Sequence, residues 1–293
     1  MKQTEIAERR DGVEIGKSVA ILGGDARMLA CARALKAKGR QVLLCGFEDD
    51  PAVQGKYLEI QEAVSRAETV VLPLPASKDG KWIFAPFARH RIELSDELAA
   101  SLRGKQVFCG MSGRLPERES WQALPVIDYY RDERLLAANA RITAEAALFE
   151  AMNVLPCTLY DCRCLVTGFG RIGKALTAQL RGLGIPVVVA ARKAKDREQA
   201  QKLGAQAISF EEAAPPCEVV FNTVPAPVVS TDLWQPGKPV LYMELASASG
   251  LLKDAPSGIH VLQAASLPGK YAPDSAGRAI ASVLLDEGEE GTR

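Results

Sequence analysis

Six consecutive residues, Gly168-Phe169-Gly170-Arg171-Ile172-Gly173, follow the pattern Gly-x-Gly-x-x-Gly, which can bind a diphosphate. The apolar run RCLVT precedes them and an amphipathic segment follows, so we expect the glycines between a buried strand and a helix. The first glycine then permits a tight turn, the second admits the diphosphate, and the third lets helix and strand pack closely. The helix N-terminus presents free N–H groups to the phosphates. The pattern predicts a dinucleotide site, against the alternative of a glycine-rich turn without a ligand.

The end of the next strand indicates which dinucleotide binds. An NAD site normally has Asp or Glu there, about 20 residues after the glycines, to bond the ribose 2′-hydroxyl. This chain has Ala191-Arg192-Lys193 instead. A guanidinium and an ammonium group suit a 2′-phosphate, so we predict that NADP(H) binds in preference to NAD(H). The alternative is that both cations are solvated loop residues.

Three further loops are expected to complete the nucleotide site, because ligands bind at the carboxyl ends of parallel strands. The first, residues 222–225, could follow the nicotinamide ribose, and the other two, residues 244–247 and 267–269, could approach the nicotinamide ring. The alternative for each is an ordinary turn. Their predicted cofactor-binding residues are Asn222, Thr223, Val224, Pro225, Leu245, Ala246, Ser247, Pro268 and Gly269.

A second glycine-containing loop, Gly23-Gly24-Asp25-Ala26-Arg27, follows the first apolar strand run. Two glycines before a helix bring backbone N–H groups together as an anion site, and Arg27 could pair with a carboxylate through two hydrogen bonds. We predict a small acidic substrate here, with Asp25 as proton acceptor. The alternative is a helix capped by Asp25 with Arg27 on its surface.

Two more loops in the first half could contact the same substrate. Pro75 ends the third apolar run, TVVLPLP, and Arg114, a second candidate for binding a carboxylate, follows the fourth, QVFCGM. The chain has two histidines, His90 and His260, and neither forms a recognisable Glu/His pair. A 2-hydroxy-acid dehydrogenase normally needs a histidine for the hydroxyl proton, which argues against oxidation of a simple alcohol.

The elements that must position these residues occur twice. SVAILGG, a helix from about Ala26 and QVLLCGF form the first copy; RCLVTGFG, a helix from Arg171 and PVVVAAR form the second. Apolar runs without alternation are typical of parallel strands covered on both faces, and their alternation with helices predicts βαβ units. We therefore expect an α/β protein of two doubly wound parallel-sheet, Rossmann-like domains with a cleft between them.

The boundary between these domains is predicted from one long segment. Residues 132–153 contain neither Pro nor Gly and should form a helix that crosses between the domains. The final apolar segment, SAGRAIASVLLDEGEE, should return to the first domain. We assign residues 1–135 and 274–293 to a flavodoxin- or Rossmann-like substrate domain, and residues 140–273 to the NADP-binding domain.

Composition excludes several classes of function. Of 293 residues, 36 are Lys or Arg and 36 are Asp or Glu, so no general attraction to nucleic acid or anionic membranes is expected. The seven cysteines have irregular spacing without a zinc pattern, which indicates reduced structural thiols and no metal site. No apolar run reaches membrane-spanning length, and the polar N-terminus lacks a signal core. We expect a cytoplasmic protein and leave a homo-oligomer open.

Several of these segments together resemble the dipicolinate synthase A-subunit family. They are VAILGGDARMLACARALKAKGRQVLLCGF, LPLPASKDG, VTGFGRIGKALTAQLRGLGIPVVVAAR, NTVPAPVVS and SLPGKYAPDSAG, which cover the chain from about Lys17 to Leu285. The pairing of GGDAR with GFGRIG is fairly specific. Lys270, Tyr271 and Asp274 are more polar than that family's pattern leads us to expect, so substrate or partner details could differ.

The resemblance implies oxidation of dihydrodipicolinate to pyridine-2,6-dicarboxylate with NADP, a B-subunit partner and a role in sporulation. A dicarboxylate suits the two predicted anion-binding loops, and aromatisation drives the oxidation without a histidine base. Two alternatives stay open. One is another two-domain NAD(P)-dependent dehydrogenase of the 2-hydroxy-acid or alanine type, and the other is a non-catalytic nucleotide-binding subunit.

Overall fold

The computed structural model describes residues 15–53, 55, 57–212, 214–229, 240–251 and 258–286. The chain divides into two compact units. The first unit ends at Ala138 and resumes at Pro273, and the second unit comprises Asn139–Ala272. Each unit is built on one parallel sheet, so the two are described in turn.

The strands of the first unit are β1 (Ser18–Leu22), β2 (Gln41–Cys45), β3 (Thr69–Val71), β4 (Gln106–Cys109) and β5 (Val126–Asp128). All are parallel, in the order β2-β1-β3-β4-β5. The chain therefore extends the sheet in one direction from β1 and in the other from β3. Ligands of such sheets bind where the direction reverses, at the carboxyl ends of the strands. The loops after β1 and β3 flank that point.

The strands of the second unit are β6 (Cys164–Thr167), β7 (Val187–Ala190), β8 (Gln206–Ile208), β9 (Val219–Asn222), β10 (Val240–Glu244) and β11 (Ile259–Gln263). They are also parallel, in the order β11-β10-β9-β6-β7-β8. This is the strand order of a dinucleotide-binding Rossmann sheet, with its reversal point between β6 and β9. The predicted fold class, α/β with two Rossmann-like parallel sheets, is confirmed.

The helices are α1 (Ala26–Ala37), α2 (Ile60–Arg66), α3 (Asp96–Ser101), α4 (Glu119–Gln122), α5 (Glu133–Val154), α6 (Arg171–Gly182), α7 (Ala194–Lys202), α8 (Leu267–Tyr271) and α9 (Pro273–Leu284). Within the described ranges, none of them is long and apolar enough to cross a membrane. The predicted helix at 132–153 is α5, which continues unbroken across the division between the units because it contains no Pro or Gly.

The valine- and leucine-rich strands bury side chains on both sheet faces. In the first unit one face packs with α1 and α9 around Ile21 and Leu35, and the other packs with α2 and α3 around Leu22 and Leu72. The C-terminal helix lies very close to α1, since a Cβ built on Gly277 would lie 2.3 Å from the backbone oxygen of Arg27. A glycine is required at this crossing.

One predicted loop is a helix. Pro268 and Gly269 were expected in a strand-end loop, but they lie in the first turn of α8. The backbone reverses one residue earlier, at Ser266, whose φ is 58°. Proline favours the first turn of a helix, because its fixed φ suits that position and its missing N–H leaves no donor unpaired there.

Candidate functional site

The glycine turn after β6 has the geometry of a dinucleotide loop. Gly168 has φ of 86°, and a Cβ there would lie 2.7 Å from both Thr223 Oγ1 and Val224 Cγ2. A Cβ on Gly173 would lie 2.2 Å from the Gly168 oxygen, so α6 packs directly against the turn. The first and third glycines are therefore required by contacts within the protein itself.

Gly170 differs from its two neighbours in the pattern. A Cβ built on it meets no described atom within 4 Å, and its φ is −75°, which any residue adopts. Gly170 is also the N-cap of α6 and has no side chain to bond the N–H groups of the first turn. Open space before an uncapped helix N-terminus fits a diphosphate, so the residues present can hold the dinucleotide that the sequence predicts.

The side chains between these glycines point to different surroundings. Phe169 is 5% exposed and packs in the core of the second unit, while Ile172 is half-buried against the same core. Arg171 is exposed. Phe169 and Ile172 therefore anchor the turn, while its backbone and the exposed Arg171 are accessible to a ligand.

Three cations surround the end of β7. Arg192 and Lys193 are exposed, and Ala191 is buried with its N–H bonded to the Ile208 oxygen. Arg197, which sequence analysis missed, donates from Nη1 to the backbone oxygens of Ala191 and Arg192 at 2.9 and 2.8 Å. Its side chain orients the turn that carries the predicted 2′-phosphate residues. Its position one helical turn inside α7 is the pattern that could have revealed it.

β9 ends with a buried side chain, Asn222, which is the first residue of the predicted segment 222–225. Asn222 is 0% exposed, and its Nδ2 donates to the backbone oxygen of Val224 at 2.8 Å and to Glu244 Oε1 at 2.6 Å. Its Oδ1 accepts from the hydroxyl of Thr167. We expected Asn222 to contact the cofactor, but these bonds give its side chain a structural role. Thr223 and Val224 are half-buried and Pro225 is exposed beyond it.

Glu244 opens one of the loops expected to complete the nucleotide site, but the sequence analysis gave its side chain no role of its own, although it is an acid at the end of the apolar run VLYMELAS. It is 2% exposed and ends β10 immediately before Leu245, Ala246 and Ser247. Leu245 and Ala246 are half-buried, and Ser247 is exposed. The buried hydroxyl of Tyr242 donates to Glu244 Oε2, and burial is the main reason that the pKa of Tyr242 lies above its ordinary value.

The polar residues near α8 bond within the units that contain them. Lys270 Nζ donates to Glu150 Oε1 at 2.7 Å, and the hydroxyl of Tyr271 donates to the same oxygen. Asp274, at the start of α9, pairs with Arg33 of α1. These three residues, which depart from the family pattern, thus connect helices to one another. The half-buried Pro268 and Gly269 precede them in α8.

In the first unit, Asp25 and Arg27 bind each other. Arg27 Nε lies 2.9 Å from Asp25 Oδ1, and its Nη2 lies 2.8 Å from Asp25 Oδ2 and also donates to the backbone oxygen of Leu74. Asp25 additionally caps α1 through the Arg27 N–H. Arg27 was predicted to pair with a substrate carboxylate. In the structure the Nε–Nη2 edge of its guanidinium binds Asp25 and its side chain is 9% exposed, so the geometry favours a supporting role for Arg27.

The two glycines before Asp25 are not equivalent. Gly23 has φ of 71° and donates its N–H to the Cys45 oxygen at 2.8 Å, so that N–H does not serve as an anion donor as predicted. Gly24 has φ of 111°, and no acceptor for its N–H occurs among the described residues. A Cβ at Gly24 would lie 2.2 Å from Met28 Cγ. Only the second glycine of the pair can offer its N–H to an anion.

The loops after β3 and β4 lie next to this turn. Leu74-Pro75 is a cis peptide, and the Gly110 N–H donates to the Pro73 oxygen. Arg114 is exposed in a short 3-10 helix, Ser112–Arg114. Its guanidinium therefore stands at the surface beside the carboxyl ends of the strands, where a carboxylate could reach it.

Asp128 was missed by sequence analysis and holds the loop that carries Arg114. Its carboxylate accepts from the N–H groups of Met111 at 3.1 Å and Ser112 at 2.8 Å, and Met111 has φ of 64°. The only advance indication is that Asp128 ends the apolar run PVID. Its role depends on the neighbouring strand β4, which lies beside β5 only in the folded sheet.

The cysteines have the character predicted from their apolar surroundings. All seven are free thiols, six of them buried and Cys157 exposed. Burial raises the pKa of Cys45 to about 12 and is likewise the main cause that raises the pKa of Cys109. Neutral buried thiols are poor nucleophiles, so neither residue is a candidate for covalent chemistry.

In a comparison with known proteins, two different family models match the two parts of the chain. Residues 18–121 match the N-terminal domain of the dipicolinate synthase A subunit, and residues 133–233 match the D-isomer specific 2-hydroxyacid dehydrogenase NAD binding domain. The A subunit of dipicolinate synthase from Bacillus subtilis (strain 168) is 25% identical over 283 residues, covering 92% of this chain and 95% of that protein. The resemblance to the dipicolinate synthase A subunit is confirmed.

The fold of this chain is also similar to solved structures of dipicolinate synthase A subunits. The dipicolinate synthase A subunit of Bacillus halodurans superposes with a TM-score of 0.78 at 24% identity, covering 94% of this chain and 98% of that one. Its counterpart from Bacillus subtilis superposes with a TM-score of 0.73 at 18% identity, covering 94% and 97%. These two similarities show the fold, and the match to a dehydrogenase NAD binding domain supports an oxidoreductase with a nicotinamide dinucleotide cofactor.

Proposed function

We propose that this protein oxidises dihydrodipicolinate to dipicolinate with NADP+ and works together with a B subunit. One observation carries the proposal: the N-terminal domain of a dipicolinate synthase A subunit and a dehydrogenase-type nucleotide-binding domain occur in the same chain. The 25% identity to the Bacillus subtilis protein extends over both. The proposal also places the protein in the cytoplasm of a sporulating cell, as the resemblance implies.

The choice of NADP(H) is supported by the end of β7. Arg192 and Lys193 are exposed there, Arg197 holds the backbone of the turn, and no carboxylate takes the place that an NAD site requires. A 2′-phosphate would add two negative charges beside these cations, whereas a 2′-hydroxyl would leave them without a partner. The predicted preference is therefore electrostatic.

The substrate is proposed to bind the first unit through its two carboxylates. The N–H of Gly24 and the exposed guanidinium of Arg114 are two donors of these loops that could bind anions, and Pro75 borders the same loops. Gly23 and Arg27 support this site rather than bind the substrate directly. Gly23 fixes the turn through the Cys45 oxygen, and Arg27 fixes Asp25.

Oxidation of a dihydropyridine ring removes one hydride and one proton and leaves an aromatic ring. NADP+, when bound, supplies the hydride acceptor. Asp25 is the proposed proton acceptor, because its carboxylate is 21% exposed and Arg27 holds it in one orientation at the end of β1. The developing aromaticity favours loss of the proton, so a strong base is not required.

The first experiment is calorimetric binding of NADPH and of NADH, each with and without dipicolinate. Tight NADPH binding that dipicolinate alters would support the proposal. Tight NADH binding with no response to dipicolinate would overturn it. Turnover of dihydrodipicolinate by the purified chain, alone and with a B subunit, then separates an enzyme from a non-catalytic nucleotide-binding subunit.

Oxidation of a 2-hydroxy acid is the second candidate, because residues 133–233 match that dehydrogenase domain. This candidate lacks an evident histidine to accept the hydroxyl proton of the substrate. His260 is exposed on β11 and His90 is exposed in a loop of the first unit, and the chain has no other histidine. A panel of D-2-hydroxy acids tests this candidate, and turnover of any of them at a rate comparable to dihydrodipicolinate would favour it.

A further inference from the structure

Glu244 is a buried carboxylate with four hydrogen-bond donors. Oε1 accepts from Asn222 Nδ2 at 2.6 Å and from the Ala246 N–H at 3.0 Å. Oε2 accepts from the Tyr242 hydroxyl at 2.6 Å and from the Gly250 N–H at 2.8 Å. A buried charge is tolerated only when such bonds replace its hydration, and these donors come from the strands β9 and β10 and from the loop after β10.

The bonds extend from Glu244 to the glycine turn. Asn222, held by Glu244, accepts from the hydroxyl of Thr167 and donates to Val224. The hydroxyl of Thr223 donates to the Thr167 oxygen at 2.7 Å, and Thr223 is also the residue that fills the space beside Gly168. The carboxyl ends of β6, β9 and β10 are thus connected by one buried network.

This network spans the reversal point between β6 and β9 and extends from there to β10, away from β7. β7, with the cations proposed to bind the 2′-phosphate, is on one side of β6, and β9 and β10 are on the other. A dinucleotide bound across such a sheet places its adenosine half toward β7 and its nicotinamide half toward β9 and β10. The Glu244 network therefore supports the loops on the nicotinamide side.

We propose that Glu244 is a positioning residue for the nicotinamide half of the cofactor. Acting through Asn222 and the Gly250 N–H, it fixes the loops 222–225 and 245–250 before the nucleotide arrives. This inference rests on the proposed nucleotide-binding function and adds to it which part of the cofactor the buried carboxylate serves. Glu244 itself does not touch the ligand.

The test is Glu244→Gln with two probes, NADPH and adenosine 2′,5′-bisphosphate, which carries only the adenosine half. A glutamine amide turns one acceptor oxygen into a donor, so two of the four donors lose their acceptor. We expect NADPH binding to weaken about 10- to 100-fold, as for loss of hydrogen bonds to a buried charge. Binding of the bisphosphate should change less than about 2-fold, because its half of the site lies beyond β6.

A second variant, Gly250→Ala, disturbs the network while the Glu244 carboxylate stays in place. A Cβ on Gly250 would lie 2.2 Å from Asn222 Nδ2, so Gly250→Ala should displace the Asn222 amide and produce the same difference between the two probes. If Glu244→Gln does not fold, Gly250→Ala decides the question. The matched control is Glu218→Gln, at the opposite end of β9, where the carboxylate accepts from the Arg163 N–H at 2.8 Å. It should leave both affinities unchanged.

Equal weakening of both probes in folded Glu244→Gln protein would overturn the proposal, because it would indicate a general structural role. Unchanged NADPH binding would overturn it as well. If the wild type prefers NADH, the same comparison uses NADH and adenosine 5′-monophosphate. Failure of the proposed function has a different signature: the wild type would bind nucleotide but would not oxidise dihydrodipicolinate, and the difference between the probes would persist.

Discussion

At the scale of single residues, Arg27 and Glu244 are two buried charged residues that lie beside the predicted binding loops. Each ends up beside the loop that follows a strand, and each is satisfied by several neighbours. Arg27 is neutralised by Asp25, whereas Glu244 is held by neutral donors. A paired charge and a hydrogen-bonded charge both rigidify their surroundings, which explains why these residues support binding loops without contacting a ligand.

Arg192 is the residue proposed to select the cofactor. We expect Arg192→Ala to weaken NADPH binding by about 10-fold and to leave NADH binding unchanged, since it removes one charge-assisted pair with the 2′-phosphate. Calorimetric titration with each nucleotide measures both affinities. Lys202→Ala, an exposed cation at the end of α7, is the control. An unchanged preference in Arg192→Ala would show that the 2′-phosphate assignment is wrong.

Asp25→Asn tests the proposed proton acceptor. Asparagine can still cap α1 and accept a hydrogen bond from Arg27, but it cannot take up a proton. Turnover should fall by about 100-fold while NADPH affinity stays the same, a loss within the usual range for a general base. Steady-state kinetics and calorimetry give the two values. Loss of both turnover and affinity to the same degree, or of neither, would exclude the role.

At the scale of elements, the turn between β6 and α6 is defined by what each glycine meets. Gly168 and Gly173 leave no room for a side chain, whereas Gly170 faces open space. The two strand ends on the other side, β9 and β10, are held by the Glu244 network. The turn therefore has a preformed shape, and the protein leaves one face of it clear for a diphosphate.

Gly170→Ala should affect nucleotide binding, whereas Gly173→Ala should affect the stability of the fold. Gly170→Ala should leave the melting temperature unchanged and reduce NADPH affinity at least about 10-fold, because its methyl group occupies space that the diphosphate needs. Gly173→Ala places a Cβ 2.2 Å from the Gly168 oxygen and should lower the free energy of unfolding. Overpacking of this kind costs about 1–3 kcal/mol. Thermal unfolding and calorimetry measure both variants, and a stable Gly173→Ala would contradict this geometry.

At the scale of the whole molecule, the first unit is discontinuous in sequence. α9 follows the complete second unit along the chain, yet it packs on α1 and buries Ile280, Ala281 and Leu284 in the core of the first unit. The core of the first unit therefore depends on a helix that follows the second unit in the sequence. α9 is distant in sequence from the strands that precede α5, but it packs in the same core as they do.

Ile280→Ala should destabilise the first unit. Removal of a fully buried isoleucine side chain costs about 2–5 kcal/mol, through lost burial and the cavity left behind. Differential scanning calorimetry should show a lower transition for the first unit, while the transition that NADPH raises stays in place. Val261→Ala, at a 39% exposed position on β11, is the control. An unchanged thermogram for Ile280→Ala would contradict the packing of α9.

The sequence by itself determined the elements and the glycine turn. Apolar runs such as VVVA and the spacing of Gly168 and Gly173 are local patterns, and each predicted strand run contains a strand of the structure. The tertiary structure alone decided which polar groups meet. Arg27 bonds to Leu74, Asp128 to Ser112, and Asn222 to Glu244, across 47, 16 and 22 positions of the chain. These partners become neighbours only when parallel strands align their carboxyl ends, so no local pattern specifies them.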